Sequence, residues 1–280
     1  MTTITQYLGY NYSSNKPRFA SEFQGNWQMA QLQDRFSQPG TPARTGATVD
    51  EGLRSYMLSV YNYMSAGVGL TGITAYVVSA LAVASNVGGQ AALTPFGQML
   101  YQSPLKYVVM FAPLAFVFYL SARVYKMSVA SAQLAFWLFA AVMGLSLSSI
   151  FLVFTGQSIT QVFFVTAAAF AGLSLAGYTT KKDLSGWGSF LIMGVIGVLV
   201  ASVVNLFLQS NAVQFAISVI GVLVFAGLTA YDTQRIKTGY YQLRGDATAV
   251  AKGAIMGALS LYLDFINLFI FLLQLFGSRR

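Results

Sequence analysis

The chain has no cysteine and no histidine, and only 9% of its 280 residues are charged. Without cysteine there are no thiol nucleophiles, disulfides or Cys/His metal and haem sites. Without histidine there is no imidazole acid–base chemistry. Soluble domains carry about a quarter charged residues. With 56% hydrophobic residues, the chain reads as an integral membrane protein. Acidic side chains are the scarcest charge, eight against sixteen Lys and Arg, for a net charge of +8. In a soluble protein that excess would suggest nucleic acid. Here the cations gather in alternate loops, as in the cytoplasmic loops of membrane proteins, and no nucleic-acid partner is expected.

What is present is a series of long apolar runs. Residues 1–55 are polar and rich in Gln, Ser, Asn, Gly and Tyr. They lack the apolar core of a signal peptide and are expected to form a mostly disordered cytoplasmic tail. Residues 56–280 form the membrane domain, with seven apolar spans at about 56–83, 107–122, 129–154, 162–178, 190–208, 213–231 and 254–276. Most approach the roughly 20 residues that cross a bilayer as a helix. Backbone groups in lipid must satisfy one another, and no strand alternation competes, so the fold class is an all-α membrane bundle.

Loop charge sets the expected orientation. Segments 84–105, 155–161 and 209–212 carry no charged residue, whereas the alternate segments carry Arg54, Arg123 and Lys126, Lys181 and Lys182, then Arg235, Lys237, Arg244 and Lys252. This places the N-terminus in the cytoplasm. Seven crossings then leave Arg279 and Arg280 outside, against the same rule; a re-entrant last segment is the alternative. Small-residue ridges at Ala140, Gly144 and Ser148 and at Gly172 and Ala176 predict close helix contacts.

Two carboxylates stand out. Asp232 ends the run GVLVFAGLTAYDTQRIK, and Asp264 lies within GALSLYLDFINLFIFLLQLF. A carboxylate at membrane depth is costly and marks a functional site with a partner. In the last span Gly253, Gly257, Ser260, Asp264, Asn267, Phe271 and Gln274 recur at spacings of four and three, one helix face. Such a polar stripe faces a cavity or other helices, which makes Ser260 and Asn267 candidate cavity-lining residues. Hydrogen-bonded glue between helices is the plainer reading of Asn267 and Gln274. Asp232 by itself reads as a helix-end residue beside Arg235 and Lys237. Asp264 lies about 16 Å along its helix from Gly253 at about 1.5 Å per residue. The two carboxylates therefore meet only if Thr233 and Gln234 continue the helix and Arg235 snorkels outward.

The seven spans, YDTQRIK at the end of span six and LSLYLDFINLF in span seven resemble the Bax inhibitor-1 (transmembrane Bax inhibitor motif) family, especially its bacterial members. SARVYKMSVASAQLAFWLFAAVMGLSLSSIFLVFTG and GYTTKKDLSGWGSFL carry the same resemblance. The resemblance implies a seven-helix bundle with the last helix central. It further implies a hydrogen-bonded aspartate pair, Asp232 with Asp264, that senses pH and gates a calcium leak in the cell membrane. A basic latch at the end of the second helix would be Arg123 or Lys126, although ARVYK departs from the arginine-rich turn of the family. Two close carboxylates share one proton, and its loss or gain biases a two-state helix. Calcium takes six to eight oxygen ligands, so a weak transit site at Asp232 and Asp264 is expected, with no resident cofactor. The second reading is a regulator that contacts a membrane protease or another membrane protein through the tail. An intramembrane aspartyl protease is the third; the motif context argues against it, and no enzyme activity is expected.

Overall fold

The computed structural model describes residues 42–84 and 92–280. The chain divides into two units, 1–50 and 51–280, and the second holds the membrane helices. Most of the expected polar tail lies outside the described residues. Helix α1 runs Pro42–Ala82, and its membrane-crossing part is Glu51–Ala82. It is followed by α2 (Pro95–Tyr101), α3 (Leu105–Arg123), a 3-10 turn (Val124–Lys126), α4 (Val129–Leu147), α5 (Ile150–Val153) and α6 (Gly156–Thr179). A second 3-10 turn (Ser185–Trp187) leads into α7 (Gly188–Leu208), then α8 (Asn211–Leu243) and α9 (Ala247–Phe276). Seven helices are long and apolar enough to cross a membrane.

Several helices start where a short polar side chain serves the free backbone donors of the first turn. Ser128 accepts from Ser131 N, Thr155 from Ser158 N and Ser210 from Val213 N. Asp246 accepts from Thr248 N at 2.7 Å and so opens α9. Thr94 caps α2, with Pro95 following at the first helical position, where its missing N–H costs nothing. Gln209 stops α7 in a left-handed conformation (φ 51°), and Asn205 Oδ1 accepts from Ser210 N just beyond it.

α9 is the centre of the bundle. Its most apolar stretch is 67% buried, against 11% for α3. It packs on α8, α6, α4 and the 3-10 turn after α3, and Tyr262 joins it to Thr71 of α1. α7 is held to the bundle through α8. The core is aromatic at several layers, with Phe136, Phe139 and Tyr262 edge-to-face and Phe163 and Phe170 both against Phe265. Edge-to-face pairs suit the ring quadrupole and add to simple burial.

α9 is one continuous helix, long and apolar enough to cross a membrane without a break. Its far end is sewn to the α5–α6 connection: Thr155 N donates to Ser278 O (3.0 Å), Arg280 N to Val153 O (3.0 Å) and Ser278 N to Ser158 Oγ (2.9 Å). The Arg279 guanidinium sits 6.0 Å from the Phe154 ring centroid, an attractive position for a cation. The two terminal arginines thus have local partners at the end opposite the basic loops.

The small-residue ridges fare differently. At Gly144 an added Cβ would come within 2.6 Å of Thr71 O, so α4 and α1 meet there backbone to backbone. Gly172 has nothing within 4 Å, and it and Ala176 lie on an exposed face. The close-contact glycine of α6 is instead Gly177, whose Cβ would lie 2.2 Å from Ala230 O of α8.

Candidate functional site between α8 and α9

The sixth span does not end at Tyr231. α8 continues to Leu243, and α9 begins at Ala247 rather than near Ala254. Falling hydropathy marks where the lipid ends; the segment TQRIKTGYYQL contains no proline, and nothing in it stops a helix. Asp232 therefore lies well inside a helix, about 16 Å from its end at about 1.5 Å per residue.

The packing of α8 on α9 fixes their register. Gly257 meets Ile236, and Phe271 covers Gly221, while the Phe225 and Phe271 rings stack with centroids 5.8 Å apart. Asp232 lies three residues past Thr229 and four before Ile236, so it shares their face. Asp264 lies seven residues past Gly257 and seven before Phe271, on the face of α9 that meets α8. Interpolating between those contacts sets Asp264 level with Leu228 and Thr229. Asp232 is then about one turn away, roughly 5 Å in rise.

Their surroundings differ. Asp264 is buried, 4% exposed, and its Oδ2 has no hydrogen-bond partner among the described residues. Thr229, at its level, donates its hydroxyl to Phe225 O instead. The Asp232 side chain is 13% exposed, and Arg235 Nη1 lies 3.9 Å from its Oδ1 with the Arg235 side chain 70% exposed. With so exposed an arginine this ion pair contributes little to stability. Arg123 and Lys126 are exposed at the end of α3, on and beside the 3-10 turn that packs against α9. Ser260 and Asn267 fall on a half-buried stripe of α9 with Met256, Leu263 and Ile270. Asn267 Nδ2 donates to Leu263 O (2.8 Å) within its own helix. Gln274 binds Gln214 Nε2 (2.7 Å) and Ser218 Oγ (2.9 Å) of α8, which is interhelical glue. Among the described residues no cluster of three or more carboxylates could hold a metal ion.

Several residues of the site give no strong signal in the sequence. Thr233 Oγ1 donates to Thr229 O (2.7 Å), so it accepts from Ser174 Oγ (2.9 Å), which in turn accepts from Tyr61 OH (2.7 Å). This chain ties α1 and α6 to α8 one residue from Asp232. Gln234 holds the α6–α7 connection with both ends of its amide: Leu184 N donates to Oε1 and Nε2 donates to Lys182 O, each at 2.8 Å. Lys237 Nζ donates to Tyr178 O (2.7 Å), near the end of α6. In that connection Asp183 accepts from the Ser185 amide and hydroxyl, which hold its carboxyl below the usual range.

Comparison with known proteins agrees with this architecture. The family model described as inhibitor of apoptosis-promoting Bax1 matches residues 53–280. A protein of Caulobacter vibrioides is 47% identical over 237 residues, covering 85% of this chain and 94% of that protein. A Rickettsia prowazekii protein is 43% identical over 240 residues (86% and 96%). The inner membrane protein YbhL of Escherichia coli is 44% identical over 232 residues (82% and 94%). With a family match across the whole membrane domain and relatives aligned along nearly their full length, the chain belongs to the Bax inhibitor-1 family of membrane proteins.

Proposed function

We propose that the chain is a pH-sensitive calcium leak channel of the cell inner membrane, gated by the Asp232–Asp264 pair, with its N-terminus in the cytoplasm. The observation that carries this reading is the carboxylate oxygen Asp264 Oδ2. It is buried without a hydrogen-bond partner among the described residues, about one turn from a second carboxylate on the facing helix. A buried ionised carboxylate without donors is costly, so the site favours a shared proton or a passing cation. Protonation removes the charge that attracts a cation and loosens Arg235 from Asp232; deprotonation restores both. The donors present suit passage rather than storage. Two aspartates with Ser260 and Asn267 fall short of the six to eight oxygens calcium takes in a tight site.

The test is calcium flux into proteoliposomes on either side of neutral pH, for the wild type, Asp232→Asn and Asp264→Asn. The wild type is expected to change its flux with pH and either variant to lose that dependence. A folded wild type with no flux at any pH refutes the channel. The basic group that answers the pair is Arg235 on geometry and Arg123 or Lys126 on family resemblance. Arg235→Gln, Arg123→Gln and Lys126→Gln in the same assay separate them.

A further inference from the structure

An apolar groove of about 750 Å³ runs between α1 and α6, with Phe265 of α9 at its back. Met57, Met64, Ala167 and Phe170 line it, and Leu58 and Leu175, 51% and 62% exposed, form its rim. It therefore opens sideways toward lipid. Of the polar groups in its wall, Tyr61 OH and Ser174 Oγ are bonded to each other and Ser65 Oγ lies 3.9 Å from Met64 Sδ. At the basic end stands Arg54, exposed. Tyr178 lines the same groove, with Lys237 Nζ 4.8 Å from its ring centroid. Lys237 spends one of its three donors on Tyr178 O and keeps the others. Among the described residues no acidic side chain lines the groove.

We infer that this groove is a binding site for one anionic phospholipid, its acyl chain against Phe265 and its phosphate between Arg54 and Lys237. The occupant follows from the two ends. A lateral apolar opening admits a ligand from the bilayer without passage through water. Two cations at the end where the chain leaves the membrane complement a phosphate, and guanidinium can grip it bidentately. The site is independent of the calcium reading and would stand if no ion were carried.

The test is native mass spectrometry of the delipidated full chain, offered phosphatidylglycerol or phosphatidylcholine in detergent. The wild type is expected to retain phosphatidylglycerol preferentially. Arg54→Gln should lower that preference about fivefold, what one cation near an anionic surface is worth, and leave phosphatidylcholine unchanged. Ala171→Trp, which fills the groove, should reduce both lipids, while Arg280→Gln at the opposite end should change neither. Equal retention of the two lipids by the wild type, or an undiminished preference in Arg54→Gln, overturns the assignment. Arg54 is exposed, so its substitution leaves the fold intact and keeps the test decisive even if Ala171→Trp is unstable.

Discussion

Gly177→Ala is a sensitive test of how α8 is held. Its Cβ would lie 2.2 Å from Ala230 O and 2.8 Å from Ala230 Cα, all backbone that no rotamer change can clear. An ordinary contact requires the two helices to part by roughly 1 Å, and a gap of that size forfeits a quarter to a half of each neighbouring dispersion contact. Overpacking of this kind costs about 1–3 kcal/mol. The Ser174–Thr233 hydrogen bond lies one turn away at 2.9 Å; stretched beyond reach it adds about 1 kcal/mol. Against this stands the helix propensity gained by replacing glycine with alanine, up to about 1 kcal/mol. Gly172→Ala, on the same helix with nothing within 4 Å, makes that gain without the clash. The difference between the two variants cancels propensity and isolates the packing, at about 2–4 kcal/mol against Gly177→Ala. Thermal unfolding of both in one detergent measures it. If the two variants melt together, the backbone contact between α6 and α8 at Gly177 and Ala230 is not as described.

Gln234→Ala removes both bonds to the α6–α7 connection and should cost about 1–3 kcal/mol, with faster amide exchange at Leu184 while the amides of α8 are unaffected. Thr71 donates to Ala140 O and so accepts from Tyr262 OH (2.6 Å). Thr71→Val therefore strands the buried Tyr262 hydroxyl, while Ala140 O keeps its bond within its own helix; Tyr262→Phe strands none, and the valine variant should melt lower by about 1–3 kcal/mol; equal melting would contradict the network. The chain has no native cysteine, so Gly245→Cys and Ser278→Cys can be labelled singly in sealed vesicles. An impermeant maleimide should reach them from opposite faces, and labelling from the same face would indicate a re-entrant α9. Asp264→Leu, which removes the orphaned carboxylate oxygen without leaving a polar group behind, should hold or raise the melting temperature while changing calcium flux; a large loss of stability would mean the carboxylate has a structural partner.

Most of the fold is legible in the sequence because the bilayer constrains it strongly. Apolar length gives the spans, and charge-free segments such as 155–161 separate them. Helix ends are less legible. Hydropathy falls at Asp232, but the helix continues through Leu243, because lipid exposure and helix continuity are different properties. The same difference explains the glycines. Gly172 and Gly177 look alike in a list of small residues, and only the neighbouring backbone distinguishes them. Asp232 and Asp264 are legible as costly charges. The chain Tyr61–Ser174–Thr233 is not, because it joins three helices through hydroxyls that carry no charge and have no common spacing.

The motif at the end of the sixth span shows why two carboxylates can be placed so close without a stronger partner. Consecutive residues of a helix point in directions about a quarter-turn or more apart, so each side chain of YDTQRIK meets a different neighbour. Asp232 faces α9, Thr233 receives the hydroxyl chain from α1 and α6, and Gln234 grips the α6–α7 connection. Arg235 reaches back to Asp232 from solvent, Ile236 packs under Gly257, and Lys237 bonds Tyr178 O near the end of α6. Two of these contacts, through Gln234 and Lys237, are insensitive to the charge on Asp232, and they fix the depth of the helix. Arg235 is the cation within ion-pair distance of Asp232. Under the proposed gating, a change of protonation at the pair would act on this one exposed side chain rather than move a whole helix. If the pair instead moved α8 as a body, Gln234→Ala and Lys237→Gln would both alter the pH dependence of flux as much as Arg235→Gln does.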